Sequence, residues 1–148
     1  TLGHRYKNNR FTRMHDFSYS DEQVDTKGLA TQISGGDQVA EKVAYIENWL
    51  RTEYEFNPQF TGLLTLMTNN TYGKYFNNVL TDKKQLRRSF GVIPTLYYRP
   101  FDTLDVKFFF TYILRYYDYS NFAKLNFGAT NYNHNEFRIG IIAPLRFL

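Results

Sequence analysis

The stretch that most restricts what this chain can fold into is its last third, residues 104–148. Val106, Phe108, Phe110, Tyr112, Leu114 and Tyr116 recur at every second position. Asp105, Lys107, Thr111 and Arg115 fall between them, with Phe109 and Ile113. After a polar interval the pattern returns, with Phe137, Ile139, Ile141, Ala143, Leu145 and Phe147 against Glu136, Arg138, Gly140, Pro144 and Arg146. Successive side chains of a strand point to opposite faces, so period 2 specifies an extended hairpin. One of its faces is apolar for about 10 residues and the other carries charge, the pattern of a wall between hydrocarbon and water.

Composition bears on which side of such a hairpin is wet. Aromatics make up 19% of the 148 residues, yet mean hydropathy is −0.51. An aromatic-rich but hydrophilic chain suits a wall with girdles of Tyr and Phe at two interfaces and water on one side. Cysteine is absent, which excludes disulfides and thiolate metal sites. No apolar run reaches the ~20 residues of a spanning helix. The net charge of +4 and pI near 9.2 come from basic residues spread along alternating strands. Because they are not gathered on one helix or loop, nucleic acid is not expected as a partner. Beginning at Thr1, the chain reads as one whose signal was removed or as the C-terminal part of a longer protein.

Earlier strands follow the same rule. Residues 10–20 alternate loosely, with Phe11, Phe17 and Tyr19 sharing a face with Arg13 and His15. Residues 21–41 read as a loop, with room for a helical turn at 24–33. In 42–56, Ala44, Ile46, Leu50, Thr52, Tyr54 and Phe56 alternate with Tyr45, Glu47, Trp49, Arg51, Glu53 and Glu55. A helix competes there on propensity, but the period-2 match is better. A turn at Asn57-Pro58-Gln59 leads into a strand over 60–68. A polar loop over 69–88 leads into a strand over 89–99, whose Pro94 lacks a ladder donor and belongs at a bulge or a weak pairing. A short turn at 100–103 opens the final hairpin, whose loop is read as 118–135.

About six strands emerge, fewer than the eight that closure requires. The fold class expected is therefore all-β, an antiparallel transmembrane β-barrel forming part of a larger barrel. A complete eight-stranded barrel with two strands hidden in residues 1–41 is the alternative. Connections run long, short, long, short, long, which fits short periplasmic turns and long extracellular loops.

On this phase Tyr45, Glu47, Trp49, Arg51, Glu53, Tyr97, Lys107, Phe109, Arg115 and Arg138 point inward and are the expected pore-lining residues. Their charges either pair with one another or set selectivity, and their rings either pack or stack on a solute. Lys83, Lys84, Arg87 and Arg88 form a basic cluster expected at the outer rim, as a solvated loop or as a contact for lipopolysaccharide phosphates or anionic solutes. Catalysis is not expected. His4, His15 and His134 stand in no hydrolase arrangement, and His15 and Asp16, as strand neighbours, point apart. No phosphate loop, metal spacing or cofactor motif occurs.

The terminal strand, residues 137–148, the hairpin before it and Tyr98-Arg99-Pro100 resemble the C-terminal part of Gram-negative outer-membrane porins. In that family the last strand ends on an aromatic read by the barrel-assembly machinery; here Leu148 is last, and Phe147 keeps the outward phase. More loosely, the last ~60 residues are similar to maltoporin-type sugar porins, where an Arg-Pro pair precedes a long aromatic strand. The resemblance implies a bacterial outer-membrane location, contact with lipid and lipopolysaccharide, a homo-oligomer, commonly a trimer, and passive diffusion of small hydrophilic solutes such as sugars. The competing readings are a non-channel barrel acting through its outer loops, the barrel segment of a larger secretion or assembly complex, and a soluble lipid-binding barrel with the opposite orientation.

Overall fold

The computed structural model describes residues 1–25, 40–76, 84–101 and 106–143. They form seven strands: β1 (Leu2–Asn8), β2 (Phe11–Asp25), β3 (Ala40–Glu55), β4 (Phe60–Phe76), β5 (Lys84–Tyr98), β6 (Lys107–Tyr119) and β7 (Tyr132–Ile142). A short helix, α1 (Asn121–Phe127), lies between the last two. Each strand pairs antiparallel with the next, giving a single meander in the order β1-β2-β3-β4-β5-β6-β7. The all-β antiparallel expectation is met at this level.

The sheet is not closed into a barrel, and β1 and β7 are its edges. In a meander of seven strands these two run in the same direction. Joining them would make a parallel pair in an otherwise antiparallel ladder.

The count is seven rather than about six because residues 1–20 hold two strands. They are joined at Asn9–Arg10, where Asn9 takes φ 42°. A left-handed backbone is tolerated by Asn, whose short polar side chain suits it to tight turns. The added turn puts a further short connection at the start of the series, but the expected alternation does not hold through the later links. The shortest links, residues 9–10 and 56–59, follow β1 and β3, but the link after β5, residues 99–106, is no shorter than that after β4, residues 77–83.

Strands also run further than expected. β4 continues to Phe76 and β5 begins at Lys84, so most of the expected loop 69–88 is paired. Asn69 and Thr71 have the composition of loop residues, yet they continue the mainly polar face of β4 that carries Thr65. Likewise β2 reaches Asp25 and β3 starts at Ala40, which puts Val24 and Asp25 in a strand. The rest of the expected helical turn lies outside the described residues. The expected loop 118–135 contains α1, capped by Ser120, whose Oγ accepts from Ala123 N at 3.2 Å. Gly128 ends the helix at φ 63°, the left-handed conformation glycine adopts at no steric cost. Residues 144–148, with the terminal aromatic, also lie outside the described residues.

The short turn at 57–59 is built as expected. Asn57 Oδ1 accepts from Gln59 N and Phe60 N, both at 2.9 Å, mimicking a backbone turn. At Pro94 the β5–β6 pairing skips from Val92↔Leu114 to Thr95↔Thr111 with no change of register. The missing donor therefore sits at a weak pairing, not a bulge. The bulge lies elsewhere, where Thr71↔Arg87 is followed by Tyr72↔Gln85.

Burial divides the two faces in an unusual sense. Thr12, Thr65, Asn69, Thr71, Ser89 and Thr95 are buried, each at 9% exposure or less, along with Met67 and Ile113. Register puts all eight on one face. Phe110, Leu114, Phe137, Ile139 and Ile141 are on the other face and exposed, Ile139 and Ile141 at 63%. No large side chain among the described residues is fully buried. The sheltered side chains of one face are mostly small and polar, and the other face exposes large apolar ones.

Candidate functional site

Cross-strand register assembles the polar face row by row. Ser20, Tyr45, Thr71, Arg87 and Tyr119 make one row, and Ser18, Glu47, Asn69, Ser89, Tyr117 and Tyr132 the next. Below them come Gly3, Asp16, Trp49, Met67, Gly91, Arg115 and His134. Then Arg51, Thr65, Ile113 and Glu136 are followed by Glu53, Leu63, Thr95, Thr111 and Arg138. Tyr97 and Phe109 pair nearer the short turns, with Lys107 opposite Ile142. All ten inward residues read from the sequence thus share this face.

Most carboxylates of the face are engaged. Asp16 pairs with Arg51, both partly exposed. Glu136 accepts from Arg138 Nε at 2.6 Å and Nη2 at 2.9 Å and bonds His134 Nε2 at 3.1 Å. Asn69 Nδ2 donates to Glu47 Oε1 at 2.6 Å, and Thr71 Oγ1 donates to Asn69 Oδ1 at 3.0 Å. Thr95 and Thr111 hydroxyls bond across β5 and β6 at 2.8 Å. Such bonds satisfy polar groups that burial would otherwise leave short of partners.

Two of the expected inward side chains cover glycines. A Cβ on Gly140 would lie 2.4 Å from the Phe109 ring, so glycine lets that ring fold flat over β7. Arg115 and Met67 likewise close over Gly91, at 3.3 and 2.6 Å from where its Cβ would be. Phe109 therefore packs on its neighbour strand.

The basic cluster is not gathered at an outer loop. Lys83 lies outside the described residues. Lys84, Arg87 and Arg88 belong to β5, and alternation sends the last two to opposite faces. Arg87 lies on the polar face, its guanidinium 5.3 Å from the centroid of the Tyr117 ring. Arg88 lies on the apolar face opposite Asn70 and Asp118 and donates to Gln85 Oε1 at 3.2 Å. Arg87 and Arg88 therefore do not share one face.

Three tyrosines of the polar face were not singled out from the sequence. Tyr117 stacks on Tyr132 at 4.5 Å, and Tyr119 lies 6.4 Å from Tyr132. The period that marks Lys107, Phe109 and Arg115 as inward runs on unbroken to Tyr117 and Tyr119, and that was the available signal. Arg87 belongs with them, two residues outside the expected strand 89–99.

Cavities open on this face among the described residues. One of about 410 Å³ lies by the short turns, lined by Glu53, Glu55, Gln59, Tyr97, Arg99 and Lys107. Another, of about 330 Å³, lies toward the longer connections, lined by Ser18, Ser20, Tyr45, Glu47, Asn69 and Arg87. Among the described residues no cluster of His, Asp and Glu could hold a metal ion. His15 and Asp16 do lie on opposite faces; His15 pairs with His4 on the apolar one.

A scan against protein-family models finds no match to this chain, and searches of curated proteins and of solved structures find none either.

Proposed function

We propose that this chain is part of the wall of a bacterial outer-membrane β-barrel through which small hydrophilic solutes, sugars among them, diffuse passively. The observation that carries the reading is the inverted burial of the sheet. Exposing a Phe, Leu or Ile side chain to water forfeits about 1.5–3 kcal/mol each. A face with Phe110, Leu114, Phe137, Ile139 and Ile141 exposed demands a hydrocarbon cover. The opposite face, lined by charge, amide and hydroxyl, suits water. On β6, Phe108 to Tyr116 spans nine positions, the length a tilted membrane strand requires. The two shortest connections, after β1 and β3, lie at the same end of the sheet, as periplasmic turns do.

In this reading transport is diffusion past the mixed charges of the polar face, with no chemical step. Lipid covers the apolar face, and lipopolysaccharide meets the longer connections. Trimer formation and recognition of the last strand by the assembly machinery follow from the family resemblance alone.

Conductance in planar bilayers tests the proposal. Discrete steps near the nanosiemens scale are expected from the complete barrel to whose wall this chain contributes. Stable insertion without steps would favour a non-channel barrel, and solubility in plain buffer would overturn the membrane reading. One observation favours a second reading, the barrel segment of a larger complex: the open edges β1 and β7 offer unpaired backbone to further strands. A stoichiometric partner chain copurifying with this one would support it.

A further inference from the structure

We propose that the 330 Å³ cavity of the polar face binds a small hydroxylated anion, in chemical class a sugar acid, with its carboxylate on Arg87. The proposal deepens the reading above, since it needs that face to be wet.

The cavity lies over β4, with Glu47 and Tyr45 of β3 on one side and Arg87 of β5 on the other. Two strand spacings put these walls about 10 Å apart at the backbone. Asn69 and Thr71 lie between them on β4, and Ser18 and Ser20 come from β2. A volume of 330 Å³ is near the lower end of small-molecule sites, which run about 300–1,000 Å³.

Charge tells the two walls apart. Asp16 and Glu136 are neutralised by arginines. Arg87 makes no ion pair among the described residues, and its buried Nε has no hydrogen-bond acceptor. Arg115, on the neighbouring strand and the same face, is in the same position. Arg87 is also fixed in place: its guanidinium lies over Tyr117, which is stacked on Tyr132. A planar fork so held can meet a carboxylate through two parallel bonds.

The rest of the lining selects the body of the ligand. Glu47 has one oxygen committed to Asn69, leaving acceptor capacity for a ligand hydroxyl. Ser18 and Tyr45 supply hydroxyls that both donate and accept. Glu47 would repel an anion at its own wall, so the carboxylate belongs at Arg87 and the hydroxyls at Glu47. A neutral sugar leaves Arg87 without a partner, and an apolar acid leaves the hydroxyl-lined wall unmatched.

The test is calorimetric titration of the full chain, refolded in detergent micelles, with glucuronate, glucose, benzoate and inorganic phosphate. Glucuronate is expected to bind at least about tenfold more tightly than each of the others. Arg87→Gln should remove that preference. Arg88→Gln, altered on the opposite face, should leave it intact. Far-UV circular dichroism confirms that each variant is folded. Glucose or phosphate binding as tightly as glucuronate would overturn the proposal, as would absence of binding or equal effects of the two substitutions. Because the titration needs no conductance, a channel without the preference sinks this inference alone. A chain that stays soluble without micelles sinks the reading beneath it.

Discussion

The two flanks of the sheet differ most on the face that points away from the polar residues. On β6 that face reads Phe108, Phe110, Tyr112, Leu114 and Tyr116, and on β7 Phe137, Ile139 and Ile141. On β1 and β2 it reads Leu2, His4, Tyr6 and Asn8, with Phe11, Arg13, His15, Phe17 and Tyr19. His4 lies directly opposite His15, and Tyr6 opposite Arg13. A face that tolerates hydrocarbon cannot carry Arg13 and His15 cheaply at its centre, because a charge at mid-bilayer costs about 2–4 kcal/mol in a membrane strand. The face is thus continuously apolar on β6 and β7, while on the β1–β2 hairpin it mixes Leu2, Tyr6, Phe11, Phe17 and Tyr19 with His4, Arg13 and His15. One regular ladder joins flanks whose corresponding faces differ in chemistry.

The largest expected effect comes from carrying the chemistry of one flank to the other. Phe110→Arg should destabilise the chain in lipid vesicles by about 2–4 kcal/mol, read from denaturant unfolding. Arg13→Leu on β2 should be neutral or stabilising in the same assay. Equal losses from the two would erase the distinction between the flanks.

Glycines sharpen it at the next level. Gly140→Val must displace the Phe109 ring, which lies 2.4 Å from where the new Cβ would be. Overpacking of this kind costs about 1–3 kcal/mol. Gly3→Val on β1 meets only the end of the Asp16 side chain, Oδ1 at 2.9 Å, which can rotate away. Its effect on the unfolding midpoint should be smaller than that of Gly140→Val.

Much of this was readable from the chain and some was not, for identifiable reasons. Period 2 assigned Tyr45, Glu47, Trp49, Arg115 and Arg138 to one face correctly because a strand fixes its faces whatever partner it has. Strand ends were lost where polar residues continue on the polar face. Asn69 and Thr71 look like loop residues, yet they are paired and hydrogen-bonded in β4. β1 escaped because Gly3, His4, Arg5, Lys7 and Asn8 give it no apolar face to detect. The basic run 83–88 looked like one patch because adjacency in sequence was taken for adjacency in space, which a strand denies. The stacking of Tyr117 on Tyr132 is a tertiary fact with no local signal.

The smallest effect concerns the ion pair that joins the β1–β2 flank to β3. Asp16 on β2 and Arg51 on β3 are both partly exposed, so Asp16→Asn should cost under about 1 kcal/mol. The loss should shrink as salt is raised, because exposed charges are screened. A loss several times larger and independent of salt would mean that this pair is shut away from solvent, and that the polar face is dry.

The central claim is that lipid covers the apolar face of β4–β7 while water covers the polar face. The chain has no cysteine, so single-cysteine variants carry one spin label each without interference. Labels at Ile139→Cys and Thr111→Cys, which lie on opposite faces of β7 and β6, should separate cleanly in reconstituted vesicles. The account predicts that the label at 139 is relaxed by oxygen dissolved in hydrocarbon and the label at 111 by a water-soluble paramagnetic complex. Relaxation of the label at 139 by the water-soluble complex, with the label at 111 shielded from it, would contradict the account.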